Sequence, residues 1–163
     1  MLEELQERVA RLEDESAIQR LVMSYGPSAD AGLAGSAAAL WSDDGEYDWD
    51  AGAEPLRGAQ ALQSMLSGGA HRRLIDDGAA HFSGPLLIEL DGDRATALNY
   101  SLVMRRDGER YYLWRVSAVR WDLRRQSEGW RVTKRANRLL DATGGGRDLL
   151  GDTLREVFGK GQQ

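Results

Sequence analysis

The sequence predicts an α+β fold: an antiparallel sheet curved around a group of early helices, with one pocket between them. Three observations carry this. The first stretch repeats apolar side chains at helical spacing, the second half is a succession of long alternating runs, and short Gly- or Asp-bearing turns join those runs. Helices that come first and strands that come after segregate into an α+β arrangement rather than an alternating one. The space between the concave face of such a sheet and its helices is where a ligand pocket forms.

The elements follow in order. From Leu2 to about Tyr25, Leu2, Leu5, Val9, Leu12, Ile18, Leu21 and Val22 fall at three-and-four spacing. Asp14 and Ser16 are placed to cap a second helical piece. Gly26-Pro27 is expected to disrupt the helix, because Pro brings no amide donor. Ala31 to Trp41 reads as a short Ala-rich helix, SDDGEYDWD as a turn and then a strand, and Gly58 to Leu66 as a third helix ended by Ser67-Gly68-Gly69. HRRLIDDGAA is an ambiguous connector. Four strand runs follow: His81 to Leu90, Arg94 to Arg106, Tyr111 to Arg125 and Trp130 to Leu140. The glycines at 144–146 make a flexible joint before a terminal helix from Arg147 to Phe158. The whole chain, 1–163, reads as one domain with a core at about 13–140.

Composition narrows the function classes. Hydrophobic residues make up 42% and charged ones 29%, ordinary for a soluble globular chain. No run approaches the length of a membrane span. The acidic, helical N-terminus matches neither a signal peptide nor a transit peptide, so a cytoplasmic location is expected. A net charge of -5 argues against nucleic acid as the main partner. The Arg-rich stretch from Arg105 to Arg138 reads as outward positions of antiparallel strands. With no Cys, thiolate catalysis and Cys-based metal sites are excluded, and two His without a carboxylate cluster do not make a zinc site. GLAGSAAAL and TGGGRD end in no phosphate-loop Lys and follow no strand, so neither binds a nucleotide in the usual ways. No cofactor is expected.

Among the remaining groups, Asp30 and His81 stand out. Asp30 closes MSYGPSAD and His81 opens HFSGPLLIEL about fifty residues later. A His held by a carboxylate is a general base suited to near-neutral pH. The competing reading is that Asp30 caps the helix beginning at Ala31. Tyr25 lies just before the Gly26-Pro27 break and Asp30 just after it, which aims both at one cavity mouth, and Tyr25 is a candidate to assist as a proton donor. Tyr47 alternates with Asp48 as a half-buried strand residue does, and Asn99 is a candidate polar contact on its strand. Trp41, Trp114, Trp121 and Trp130 read first as core or interface anchors, with Trp41 and Trp114 retained as candidate substrate contacts. His71, beside Arg72 and Arg73, reads as a surface residue.

The segments AIQRLVMSYGPSAD, ALWSDDGEYDWD, LRGAQAL, AAHFSGP, DGDRATALNYSL and GWRVTKRANRLL, in that order, resemble the SnoaL-like branch of the nuclear transport factor 2-like superfamily. The resemblance implies a cone-shaped sheet around the N-terminal helices. Its scytalone dehydratase, bile-acid 7α-dehydratase and hexachlorocyclohexane dehydrochlorinase members are cofactor-independent lyases using an Asp–His pair. It implies catalytic roles for Asp30 and His81, with Tyr25 assisting and Tyr47 binding substrate. It also implies an Arg on the last strand, for which Lys134, Arg135 and Arg138 are the possibilities; Arg138 is carried among the substrate contacts. Polar residues of the middle strands have no match, since Met104, Arg105, Val119 and Val103 stand there. The expected function is a dehydratase- or cyclase-like lyase or isomerase acting on a small hydrophobic, polycyclic or terpenoid molecule. The alternative is a non-catalytic module that binds such a molecule or mediates assembly. Self-association, as a homotrimer or homodimer, is expected under either.

Overall fold

The computed structural model describes residues 1–49 and 54–159. Asp50, the last residue of the SDDGEYDWD run, and the final four residues lie outside them.

The first helix, α1, runs unbroken over Leu2–Asp30 with Pro27 inside it. The expected break does not occur. Pro27 and Met23 both face solvent, so the Met23 carbonyl that loses its amide partner lies on the side where water can take its place. Gly26 serves a different purpose. A Cβ there would lie 2.2 Å from the His81 carbonyl oxygen, so only glycine lets this turn of α1 rest directly on the strand that carries His81. Asp14 does not cap a second helix either. It accepts from Trp130 Nε1 at 3.0 Å and pairs with Arg125, which pins α1 to the sheet. The Arg125 bond holds its carboxyl below the usual carboxylate range.

Next come α2 (Ala34–Ala38), β1 (Trp41–Asp48), β2 (Leu56–Arg57), α3 (Ala59–Ser67) and α4 (Gly69–Asp76). The ambiguous connector is therefore mostly helix. The Ala-rich helix is shorter than expected, and Asp43-Asp44-Gly45 lies within β1, where the pairing shifts between Trp41 and Glu46. The run expected as one strand from His81 to Leu90 is two, β3 (Ala79–Ser83) and β4 (Leu87–Asp91), parted at Gly84-Pro85. His81 is in the middle of β3 rather than at its start. The long strands β5 (Arg94–Asp107), β6 (Arg110–Gln126) and β7 (Gly129–Leu139) follow, then α5 (Gly145–Thr153) and a π-helical turn, Leu154–Phe158.

The sheet order is β2-β1-β7-β6-β5-β3, with β4 also on β5. Every pairing is antiparallel except β1 with β7, which is parallel. The sheet is curved and unclosed, and α1 lies against its concave side. Ile18, Val22, Tyr25 and Ala29 of α1 pack there against Trp41, Val119, Trp121, Leu123 and Val132. Tyr25, Trp41, Tyr47 and Trp121 meet edge-on or tilted at 5.6–6.4 Å between ring centres. That geometry places ring edges against ring faces. Among the described residues no helix is long and apolar enough to cross a membrane.

Candidate active site

The wide end of the curved sheet is not filled. A cavity of about 520 Å³ lies between α1, α3, α4 and the concave face of β1, β3, β5, β6 and β7. That is the range of small-molecule sites. Strand alternation decides which side chains reach it. Ser101 and Val103 of β5, Ser117 of β6 and His81 of β3 point in, while Phe82 and Tyr100 point out.

Two register shifts re-aim this alternation. On β6, Val103 pairs with Arg115 but Met104 with Leu113, so Trp114 is an extra residue. The bulge brings both Trp114 and Arg115 to the cavity rim, where Arg105 and Arg115 lie over the Trp114 ring at 5.0 and 5.6 Å. On β7, Asp122 pairs with Lys134 but Leu123 with Val132, leaving Thr133 extra. Val132 is inward before the bulge, and Arg135 and Asn137 are inward after it.

Asp30 ends α1 with its carboxylate against β3. It accepts the His81 backbone N–H at 2.7 Å and sits 2.5 Å from His81 Nδ1. When the carboxylate is ionised and the ring neutral, Nδ1 is the donor of this bond and Nε2 is left as an acceptor. The capping reading of Asp30 fails: the next helix starts at Ala34, and its cap, Leu33, makes no side-chain bond.

Arg135 is the most unusual group. It is 3% exposed, and its guanidinium lies 4.4 Å from the Tyr25 and Trp121 ring centres and 4.7 Å from that of Tyr47. Among the described residues neither Nε nor Nη1 meets an acceptor. Three aromatic faces offset part of the cost of burying a cation, but not the missing hydrogen bonds. Arg135 answers the question left open on the last strand, and departs from the expectation that Arg residues here face outward. Lys134 points away to Glu46 at 2.8 Å. Burial, and next the neighbouring Tyr47, push the Tyr25 phenol well above its ordinary value, with Arg135 pulling the other way. Tyr25 is thus a hydrogen-bond donor at any physiological pH.

His71 is a correction. It is not a surface residue but a half-buried one on α4 that lines the cavity, its ring centre 5.9 Å from that of His81. Burial and then His81 lower its proton affinity, and among the described residues neither ring nitrogen has a side-chain hydrogen-bond partner. Reading HRRLID as helix would have revealed it, because Ala70, His71, Leu74 and Asp77 then share a face.

Of the remaining candidates, Tyr25, Tyr47 and Trp114 line the cavity. Trp41, Asn99 and Arg138 do not. Trp41 is core, donating to the Glu46 carbonyl at 3.3 Å. Asn99 is buried structure: it accepts from Trp121 Nε1 at 3.0 Å and donates to the Gly84 carbonyl at 3.3 Å. Arg138 projects to the other face of β7 and grips Asp48 with both terminal nitrogens. No group of three metal-ligating side chains occurs among the described residues.

A curved sheet holding a carboxylate-bound histidine at the wall of a cavity beneath an N-terminal helix places the chain among cone-shaped α+β proteins. The SnoaL-like domain profile matches residues 10–136, and the chain belongs to that family, within the nuclear transport factor 2-like superfamily. It is 41% identical to a Novosphingobium aromaticivorans NTF2-like protein with a cystatin-like fold, with 92% of this chain and 97% of that one covered and a TM-score of 0.89. A Mycobacterium tuberculosis protein described as of unknown function is 24% identical over 88% of this chain and 79% of its own, with a TM-score of 0.73. A second Novosphingobium aromaticivorans protein, whose name proposes scytalone dehydratase, is 18% identical over 80% of this chain and 87% of its own, with a TM-score of 0.67. At that identity the likeness is one of fold. Among curated proteins none matches the chain significantly.

Proposed function

We propose that the chain is a lyase or isomerase of the dehydratase or cyclase type, acting on a small, largely hydrophobic molecule with an acidic C–H beside a carbonyl. The observation that carries this reading is the Asp30–His81 bond at the wall of a 520 Å³ cavity. His81 Nε2 removes the proton, and its electron pair moves into the carbonyl to make an enolate. The imidazolium that forms faces the Asp30 carboxylate. The enolate oxygen settles against the unpaired edge of the Arg135 guanidinium, a charge already in place before the reaction begins. In the lyase the enolate collapses, expels hydroxide or halide from the neighbouring carbon and leaves a double bond. Tyr25 then donates the proton a departing hydroxide needs, and the His81 imidazolium returns its proton to the phenolate. In the isomerase the proton returns to a different carbon. Met65, Leu66, Val103 and Trp49 supply apolar walls.

The test is deuterium uptake from solvent into a panel of apolar enones and hydroxy-ketones, followed by mass spectrometry. Uptake that falls about 10²- to 10⁴-fold in His81→Ala, with the fold intact by circular dichroism, is the expected result. Uptake unchanged in that variant removes the reading. The binding-module alternative draws on Val103, an apolar residue paired directly across from His81. It predicts panel compounds that bind without any exchange.

A further inference from the structure

The N-terminal half of α1 stands clear of the sheet. Its four large apolar residues are exposed: Leu2 by 71%, Leu5 by 54%, Val9 by 46% and Leu12 by 63%. They recur at three, four and three residues, which is a two-heptad coiled-coil seam with Leu2 and Val9 at the a positions and Leu5 and Leu12 at the d positions. We propose that this seam pairs with the same seam of a second copy, in parallel, as a two-stranded coiled coil.

Three features of the chain select that occupant. The first is orientation. Asp14, at the f position directly opposite the seam, is the residue tied down to Trp130 and Arg125. The body of the protein therefore holds the back of the helix, and the seam is presented outward, where two bodies can flank two joined helices without colliding.

The second is charge. In a parallel pair each g residue faces the e residue five positions on in the partner. Here Arg8 faces Glu13 and Glu15 faces Arg20, so both pairings are of opposite sign. Glu15 already takes a bond from Arg11 on Oε1 at 3.0 Å, which leaves Oε2 for the partner. The antiparallel alternative that matches Leu2 with Leu12 sets Arg8 against Arg8 and is disfavoured. A partner of unrelated sequence has no reason to match this alternation, whereas a second copy matches it automatically.

The third is continuation and strand number. Beyond Leu12 the seam runs beside a groove of about 790 Å³ walled by Val9, Leu12, Ala17, Leu21 and Leu40, which widens the surface a neighbouring helix can cover. A β-branched residue at one a position with Leu at both d positions favours two strands over three. Two heptads alone make a weak coiled coil, so the assembly is expected to depend on protein concentration.

The chain is free of Cys, which makes the experiment direct. Light scattering coupled to size exclusion, on the full chain from micromolar to hundreds of micromolar, should show a dimer or an even multiple. Leu5→Glu with Leu12→Glu, both exposed and outside the core, should halve the mass while leaving circular dichroism and denaturation midpoint unchanged. Arg8→Glu should weaken association roughly tenfold, and adding Glu13→Arg should restore it. Val9→Cys should form an interchain disulfide between two copies under mild oxidation, because a parallel register places the two a positions side by side. A monomeric or trimeric wild-type chain overturns the proposal. So does a mass that survives the double Leu substitution, a charge swap that does not rescue, or a Val9→Cys chain that crosslinks only to other proteins.

Discussion

The two ends of the curved sheet treat buried polar groups in opposite ways. At the closed end, the polar groups along the edge of Trp121 are matched: the indole N–H donates to Asn99, and Asn99 donates on to Gly84. At the open end, Arg135 and His71 are buried or half-buried, with nitrogens that have no hydrogen-bond partner among the described residues. Both ends are built from the same strands and share the same aromatic cluster, so the contrast is not one of general packing quality. A closed core satisfies its polar atoms because an unmet one costs about 1–3 kcal/mol. The proposed site would leave them for a ligand to satisfy, at some loss of stability in its absence.

Substitutions can sharpen or break that contrast. The largest effect is expected at the closed end. Trp121→Ala removes a fully buried ring and orphans Asn99, and should cost about 3–5 kcal/mol in urea denaturation. Gly26→Ala, where helix meets β3, forces a methyl group into the His81 carbonyl and should cost about 1–3 kcal/mol. Because the displaced backbone is that of His81, the same variant should also lose the Nδ1–Asp30 bond, read as a changed imidazole nitrogen shift by NMR. A Gly26→Ala chain as stable as the parent would mean that the close approach is not required.

The open end should respond differently. Arg135→Met keeps the volume, removes a buried cation only partly offset by its aromatic neighbours and should leave the unliganded protein as stable or more so. A loss of about 2 kcal/mol or more would show that Arg135 is structural and dissolve the contrast. The smallest effect concerns His71, whose folded-state proton affinity is lowered by burial. Below about pH 6.5 the unfolded chain takes up a proton that the folded chain resists, so this group's contribution is intact above that pH and is lost as pH falls. Relative to His71→Gln, the parent should therefore lose stability progressively on acidification. A gap between the two that stays constant from pH 7.5 to 5 would contradict the assignment.

Much of the arrangement was legible in the residues because it rests on local chemistry. The three long strands emerge with nearly the expected bounds, since alternation and Gly- or Asp-bearing turns encode them. Asp30 and His81 could be nominated because few other catalytic groups are present. Pro27 misled because its effect depends on whether the carbonyl one turn back can reach water, which only the packing of α1 decides. His71 was missed because two neighbouring Arg suggested solvent, while the amphipathic face of α4 turned it inward.

By itself the sequence determined the fold class, the three long strands and the small set of groups able to do proton chemistry. Those follow from periodicity, turn residues and composition, which act within a few residues of one another. Only the tertiary structure decided that Arg135, and not Lys134 or Arg138, enters the cavity. One extra residue at Thr133 inverts the facing of everything after it on β7, and a bulge is defined by the neighbouring strand, not by the strand that carries it.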